Sequence, residues 1–244
     1  MEKLFLAIPC LAAPVVFMLI APVVVLGILL VLCVLRLRKK EQDAFARQAA
    51  AWGFQYYAED PWGLAKRYEN TFDFFKEGSS RKAANILAGQ MDGRDVLAFQ
   101  YSYTTGSGDN QTTWNYSAAI LELPIQAPHL RLRGENLFDK VAAWVGHDDI
   151  NFESAEFSRR YHVACDEPKF AHDFFHPRLI EYLLACGQCP GIETRGTLLV
   201  LYDVEQTGVE RLVRLVEIGR HLIGSIPDYV RHERPTAAAG PPPA

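Results

Sequence analysis

At 244 residues the chain is long enough for one domain with a full core, and an aromatic content of 11% argues against a disordered polypeptide. The net charge of −4 is unevenly spread: residues 1–40 hold five basic groups and one acidic, so residues 41–244 keep twenty basic against 28 acidic, a balance of −8. A domain that acidic excludes a nucleic-acid groove, and no nucleic-acid partner is expected.

The chain opens on an uncharged run, Leu4 to Leu35, closed by Arg36, Arg38, Lys39 and Lys40. About 20 apolar helical residues cross a bilayer. Residues 11–35 meet that length, so they are expected to form a single transmembrane helix in contact with lipid. The run is too long and the N-terminus too nearly neutral for a cleaved signal peptide. The basic collar after the span predicts an outside N-terminus, a cytoplasmic C-terminal domain at the cell membrane, and contact with anionic lipid headgroups through those four residues. Residues 1–38 are thus read as anchor and collar.

Residues 39–53 read as a juxtamembrane helix of strong helix formers, stopped at Gly53. A globular domain then spans 54–232. Its first elements are a short strand over 55–58 and a helix from Pro61 towards Glu69, capped by Asp60. Ala84–Gly89 and Asp95–Thr104 form a hairpin across Asp92-Gly93. Phe99, Tyr101 and Tyr103 share one face of the second strand and are read as core. Thr105–Gln111 (TGSGDNQ) is glycine-rich, but it leads into a strand rather than a helix, so it is a hairpin loop and not a phosphate loop. That third strand, Thr112–Leu123, is expected to end at Pro124, with a short edge strand over Leu130–Arg133.

A helix follows over Asn136–Val145, then a helical turn from Glu153 to Arg159 and a strand from Tyr161 to Cys165. Asp166–Phe175 and Pro177–Ala185 read as helices, and Thr197–Tyr202 as a buried strand. Val209–Ile226 is an amphipathic helix with Val209, Leu212, Val213, Val216, Leu222, Ile223 and Ile226 on one face. Residues 233–244, rich in proline and alanine, are expected to be a disordered tail. Strands grouped in the middle and flanked by helices give the fold class: α+β with a mostly antiparallel sheet behind an N-terminal transmembrane helix.

Three blocks carry a resemblance. The first is Arg81-x-x-x-Asn85-x-Leu87-x-Gly89 with Phe99-x-Tyr101-x-Tyr103. The second is Phe152-Glu153-Ser154-x-Glu156-Phe157-x-Arg159-Arg160-Tyr161-x-Val163-x-Cys165-Asp166. The third is Pro168-Lys169-Phe170-Ala171 with His176-Pro177-Arg178. Together they resemble a family of uncharacterised bacterial, mostly actinobacterial, membrane-anchored proteins. The resemblance implies one N-terminal span and a cytoplasmic globular domain, and it implies no activity.

Candidate chemistry is sparse. Cys186-Gly187-Gln188-Cys189 has the spacing of a thiol pair, and with His172 and His176 it makes a two-Cys, two-His zinc set. Against this, the pair follows a helix rather than opening one, and Pro177 breaks the face that the two histidines would share. Five cysteines at uneven spacing indicate reduced thiols rather than a disulfide framework, and no cofactor is expected. His147 and Asp149 bring a base and a carboxylate close in sequence. Arg159 and Arg160 are read as partners of acidic neighbours such as Glu153, Glu156 or Asp166. No nucleophile elbow or metalloprotease motif is present. The expected function is therefore a membrane-tethered domain without catalytic activity, binding a protein partner or sensing a ligand. The alternative is a metal-binding or hydrolytic enzyme using His147/Asp149 or Cys186/Cys189.

Overall fold

The computed structural model describes residues 9–134, 149–204 and 208–236, and side chains N-terminal to Val24 lie outside that description. The chain divides into two units, Met1–Ala44 and Phe45–Ala244.

The described residues of the first unit are helical. α1 (Pro9–Trp52) runs on without a break into the second unit. Val24, Leu26 and Leu30 are 52%, 67% and 65% exposed. Among the described residues no helix is long and apolar enough to cross a membrane. The expected span is described only from Val24, and the charges begin at Arg36, which leaves too short an apolar stretch for the roughly 20 residues needed. The described residues therefore do not support the single-pass expectation.

The second unit is α+β, with a mostly antiparallel sheet flanked by helices, as expected. α1 ends where its sequence says it should. Gly53 takes φ +72°, its N–H donates to Ala50 O at 3.1 Å, and Phe54 N–H donates to Ala49 O at 2.8 Å. This double closure is what a glycine after the last turn permits. The unit begins earlier than residue 54, because Phe45 and Ala49 on the last turns of α1 belong to its core.

β1 (Gln55–Glu59) is followed by α2 (Leu64–Tyr68), shorter than the expected Pro61–Glu69. Asp60 accepts from both Trp62 N and Leu64 N, at 3.0 and 2.6 Å, holding the entry as a turn rather than helix. A 3-10 turn, Asp73–Lys76, leads into β2 (Ser79–Met91) and β3 (Arg94–Thr105). Asp92 and Gly93 join these two strands with φ +55° and +72°, the left-handed pair that matches the twist of a hairpin.

β4 (Thr112–Gly134) corrects the expected break at Pro124: one strand of 23 residues replaces a strand plus an edge strand. Pro124 and Pro128 lack a backbone donor, and the ladder to β6 shifts register between Glu122 and Ala127 and again between Ala127 and Leu130. β4 bulges where proline removes its bonds and then continues. Its first half pairs with β3 and its last residues with β5 (Tyr161–Cys165), while β6 (Gly191–Val204) pairs along the other side. All these pairings are antiparallel. Leu130–Arg133 is thus interior, not an edge.

The remaining helices are α3 (Ala155–Arg160), α4 (Pro168–Phe174), α5 (Pro177–Ala185), α6 (Val209–Gly224) and α7 (Asp228–Glu233). α6 buries Leu212, Leu215, Val216, Leu222 and Ile223, close to the expected face, although Val213 is only half-buried and Arg211 is buried. Gly219 lets it lie close to the sheet, since a Cβ there would come within 2.7 Å of Leu121. The expected helix over 136–145 lies outside the described residues. The expected tail starts in order: Gln126 N donates to Arg234 O at 3.0 Å, and Pro235 bridges to Ile125.

Both sheet faces carry a core. One lies under α4, α5, α6 and the end of α1. The other is aromatic and includes Phe72, Phe74, Phe75, Phe99, Tyr101, Tyr103, Tyr116 and Tyr202. Phe99, Tyr101 and Tyr103 are core residues there, as read from the alternation.

Candidate functional site

A groove opens on the aromatic side of the sheet, beside α2. It encloses about 700 Å³, within the range of small-molecule sites. Ala88, Leu97, Ile120 and Leu198 supply an apolar floor from four strands, and Leu97 and Leu198 are half-buried. Trp62, 39% exposed, stands at the wall with its ring edge against Tyr57, centroids 4.8 Å apart. The rim mixes Arg67 with Asp95, Glu122, Gln55 and Gln90. Gln90 donates to Asp95 at 2.9 Å, which fixes that carboxylate at the mouth. Thr197, Tyr57 and Tyr68 bring hydroxyls to the lining, which among the described residues holds no Ser, Cys, His or Lys. This arrangement can hold an amphipathic ligand.

A second polar feature lies inside the sheet. His129, Arg131 and Arg133 alternate along the bulged half of β4, so they share the face opposite Leu130 and Leu132. Glu193 of β6 and Asp73 of the 3-10 turn meet them. Arg131 Nη1 donates to Asp73 Oδ2. Arg133 Nη2 and Tyr202 OH donate to Glu193 Oε1, each at 3.1 Å, and Arg133 Nε donates to Tyr202 OH at 2.8 Å. Asp73 N–H donates to Glu193 Oε2 at 2.8 Å, and Lys76 Nζ to Asp73 Oδ1 at 2.7 Å. Burial pushes the Asp73 carboxyl up, but Lys76, Arg131 and His129 outweigh it and hold the group below the usual carboxylate range. Burial acts on Glu193 in the same way, and His129 and Arg133 overcome it. His129 Nε2 stands 3.9 Å from Asp73 Oδ2 and 3.9 Å from Glu193 Oε2. Among the described residues, Asp73, His129 and Glu193 form the group whose donor atoms are spaced to hold a metal ion.

No protein-family model and no curated protein sequence matches the chain. Among solved structures, it is similar to the mycobacterial trehalose monomycolate transport factor A, TtfA. The TM-score is 0.56 at 15% sequence identity, over 76% of this chain and 96% of that one. At that identity the likeness shows the fold. A mycobacterial neighbour is consistent with the actinobacterial resemblance.

The residues singled out from the sequence are placed elsewhere and apart. Asp149 Oδ1 accepts from Val163 N at 2.8 Å and its Oδ2 meets His162 Nδ1 at 3.1 Å, so it is engaged in tying down β5; His147 lies outside the described residues. His176 caps α5, with Nδ1 accepting from Leu179 N at 3.4 Å and Nε2 bonded to Ser225 O at 2.9 Å, which leaves neither nitrogen for zinc. His172 packs against Phe152, ring centroids 5.0 Å apart. Cys189 is buried and burial pushes its thiol well up, the opposite of what a redox thiol needs. Cys186, Cys189, His172 and His176 therefore do not assemble into a ligand group. Arg160 pairs with Glu156 at 2.7 Å, one helical turn away, as expected.

Sequence reading missed both the groove and the cluster. One local signal was there: a histidine and two arginines at every second position, 129, 131 and 133, in a stretch whose alternate residues are leucine. Taken as an edge strand, those side chains belong in water. In an interior strand the arginines must find carboxylates.

Proposed function

We propose that this protein is a membrane-tethered accessory module without catalytic activity, whose globular unit binds an amphipathic ligand in the groove beside α2. The groove itself carries the reading: an apolar floor under an open mouth and a mixed polar rim. The fold neighbour's description as a trehalose monomycolate transport factor supports an accessory assignment over an enzymatic one.

Tethering rests on the uncharged run of residues 11–35 and on a continuous helix whose apolar side chains, from Val24 to Leu37, are exposed. Lipid is the environment that removes this surface from water. In this reading the collar of Arg36, Arg38, Lys39 and Lys40 meets anionic headgroups at about 1 kcal/mol per basic residue, the N-terminus lies outside, and the acidic domain faces the cytoplasm.

Two measurements test the proposal. Binding of a fluorescent single-chain amphipath should be saturable in the wild type and weakened at least about tenfold by Leu97→Glu or Leu198→Glu. Both side chains are half-buried, so the melting temperature should change little. A panel of such probes that fails to bind eliminates the groove reading. A reporter fused after Ala244 should be active only in the cytoplasm; activity only outside the cell reverses the topology.

A further inference from the structure

We propose that Asp73, His129 and Glu193 form a binding site for one divalent first-row transition ion, independent of the groove. The first observation is the imidazole. The His129 side chain is 10% exposed, yet its buried Nε2 has no hydrogen-bond partner among the described residues and is aimed between two carboxylates. The second is spacing. Nε2 lies 3.9 Å from Asp73 Oδ2 and from Glu193 Oε2, too far for hydrogen bonds. Ligands on one ion at about 2.0–2.2 Å stand about 3.0–3.5 Å apart, so closing each gap by about half an ångström completes a three-ligand set. The third is the surrounding shell. Arg133 and Tyr202 both hold Glu193 Oε1, and this turns Oε2 towards His129. Lys76 holds Asp73 Oδ1 in the same way, with Oδ2, which also accepts from Arg131, on the side of the imidazole. Hydrogen-bonded carboxylates of this kind orient ligands in metal sites.

Donor type and charge define the ion. One imidazole with two carboxylates suits Zn²⁺, Mn²⁺, Fe²⁺ or Co²⁺, and the nitrogen disfavours Ca²⁺ and Mg²⁺. Arg131, Arg133 and Lys76 together outnumber the two carboxylates, so the ion enters a site without negative charge rather than a doubly negative one. Affinity is therefore set low, and removing a neighbouring positive charge should raise it.

The test uses the full chain in detergent, stripped with a chelator and dialysed against Zn²⁺, Mn²⁺ or Co²⁺ in turn, with bound metal and melting temperature measured. One ion per chain is expected with at least one of the three, together with a raised melting temperature. His129→Gln should weaken binding about tenfold or more, and Cys186→Ser with Cys189→Ser should leave it unchanged. If His129→Gln fails to fold, the Co²⁺ spectrum of the wild type decides: nitrogen and oxygen ligation shows no thiolate charge-transfer band. Substoichiometric binding of all three ions, equal affinity in a folded His129→Gln, or a thiolate band would each overturn the site.

Discussion

Glu193 has no exposed side-chain surface, so its charge depends on the groups around it. Breaking a buried pair by removing one partner leaves an uncompensated charge, at a cost of about 3–5 kcal/mol. Arg133→Met should therefore lower the unfolding free energy by that amount in urea titration, while Arg160→Met, which opens only an exposed pair with Glu156, should change it by less than about 1 kcal/mol. Equal losses in the two variants would mean that the cluster contributes no more than surface charge. Phenols give a pH signature. Burial pushes Tyr161 up to about 12 and raises Tyr101 and Tyr116 further. A group whose folded pKa lies above its unfolded value contributes stability that is complete below the unfolded value, about 10, and is lost as pH rises through the folded one. Stability should thus be flat to about pH 10 and fall above it. In ultraviolet titration the buried tyrosines should ionise only together with unfolding. Early ionisation of all ten would contradict the packed aromatic core.

Glycines and prolines decide how the elements sit. Gly191, at the start of β6, lies under the Tyr202 ring, where an added Cβ would stand 2.4 Å from ring atoms. Gly191→Ala must displace a phenol that bonds Arg133 and Glu193, so a loss of about 1–3 kcal/mol is expected from overpacking, read as a drop in melting temperature. Gly93→Ala meets no atoms and carries only the strain of φ +72°, about 1 kcal/mol, so it should be the milder of the two. Turn chemistry is local, which is why the hairpin at Asp92-Gly93 and the helix stop at Gly53 were legible in the sequence. β4 was not. Pro124 and Pro128 argue for a break, and only the shifted pairing with β6, made some seventy residues later, lets the strand pass through them. The same distance hid the cluster: Arg131 finds Asp73 58 residues away and Arg133 finds Glu193 60 residues away. Period-two alternation reports which residues share a face, but not which distant strand brings the opposite charge.

At the scale of the whole molecule, α+β and the antiparallel sheet followed from strand grouping, whereas the boundary of the globular unit did not. Helix propensity runs unbroken from the collar to Trp52, so composition gives no sign that the last turns of α1 change partner. Packing does. Phe45 is fully buried and Ala49 nearly so, both in the core beneath the sheet. A chain starting at residue 41 keeps this helical turn and loses only α1 residues outside the second unit. One starting at residue 54 exposes the cavity that Phe45 fills and removes the helix that Gly53 and Phe54 close. Removal of a buried phenylalanine alone costs about 3–5 kcal/mol, a large share of the stability of a domain this size. The 41–244 fragment should therefore melt cooperatively, with groove binding intact. The 54–244 fragment should melt well below it or fail to fold, and Phe45→Ala in the longer fragment should reproduce most of the loss. Equal melting temperatures for the two fragments would show that α1 is only a tether. A large difference makes its last turns a structural part of the domain they carry.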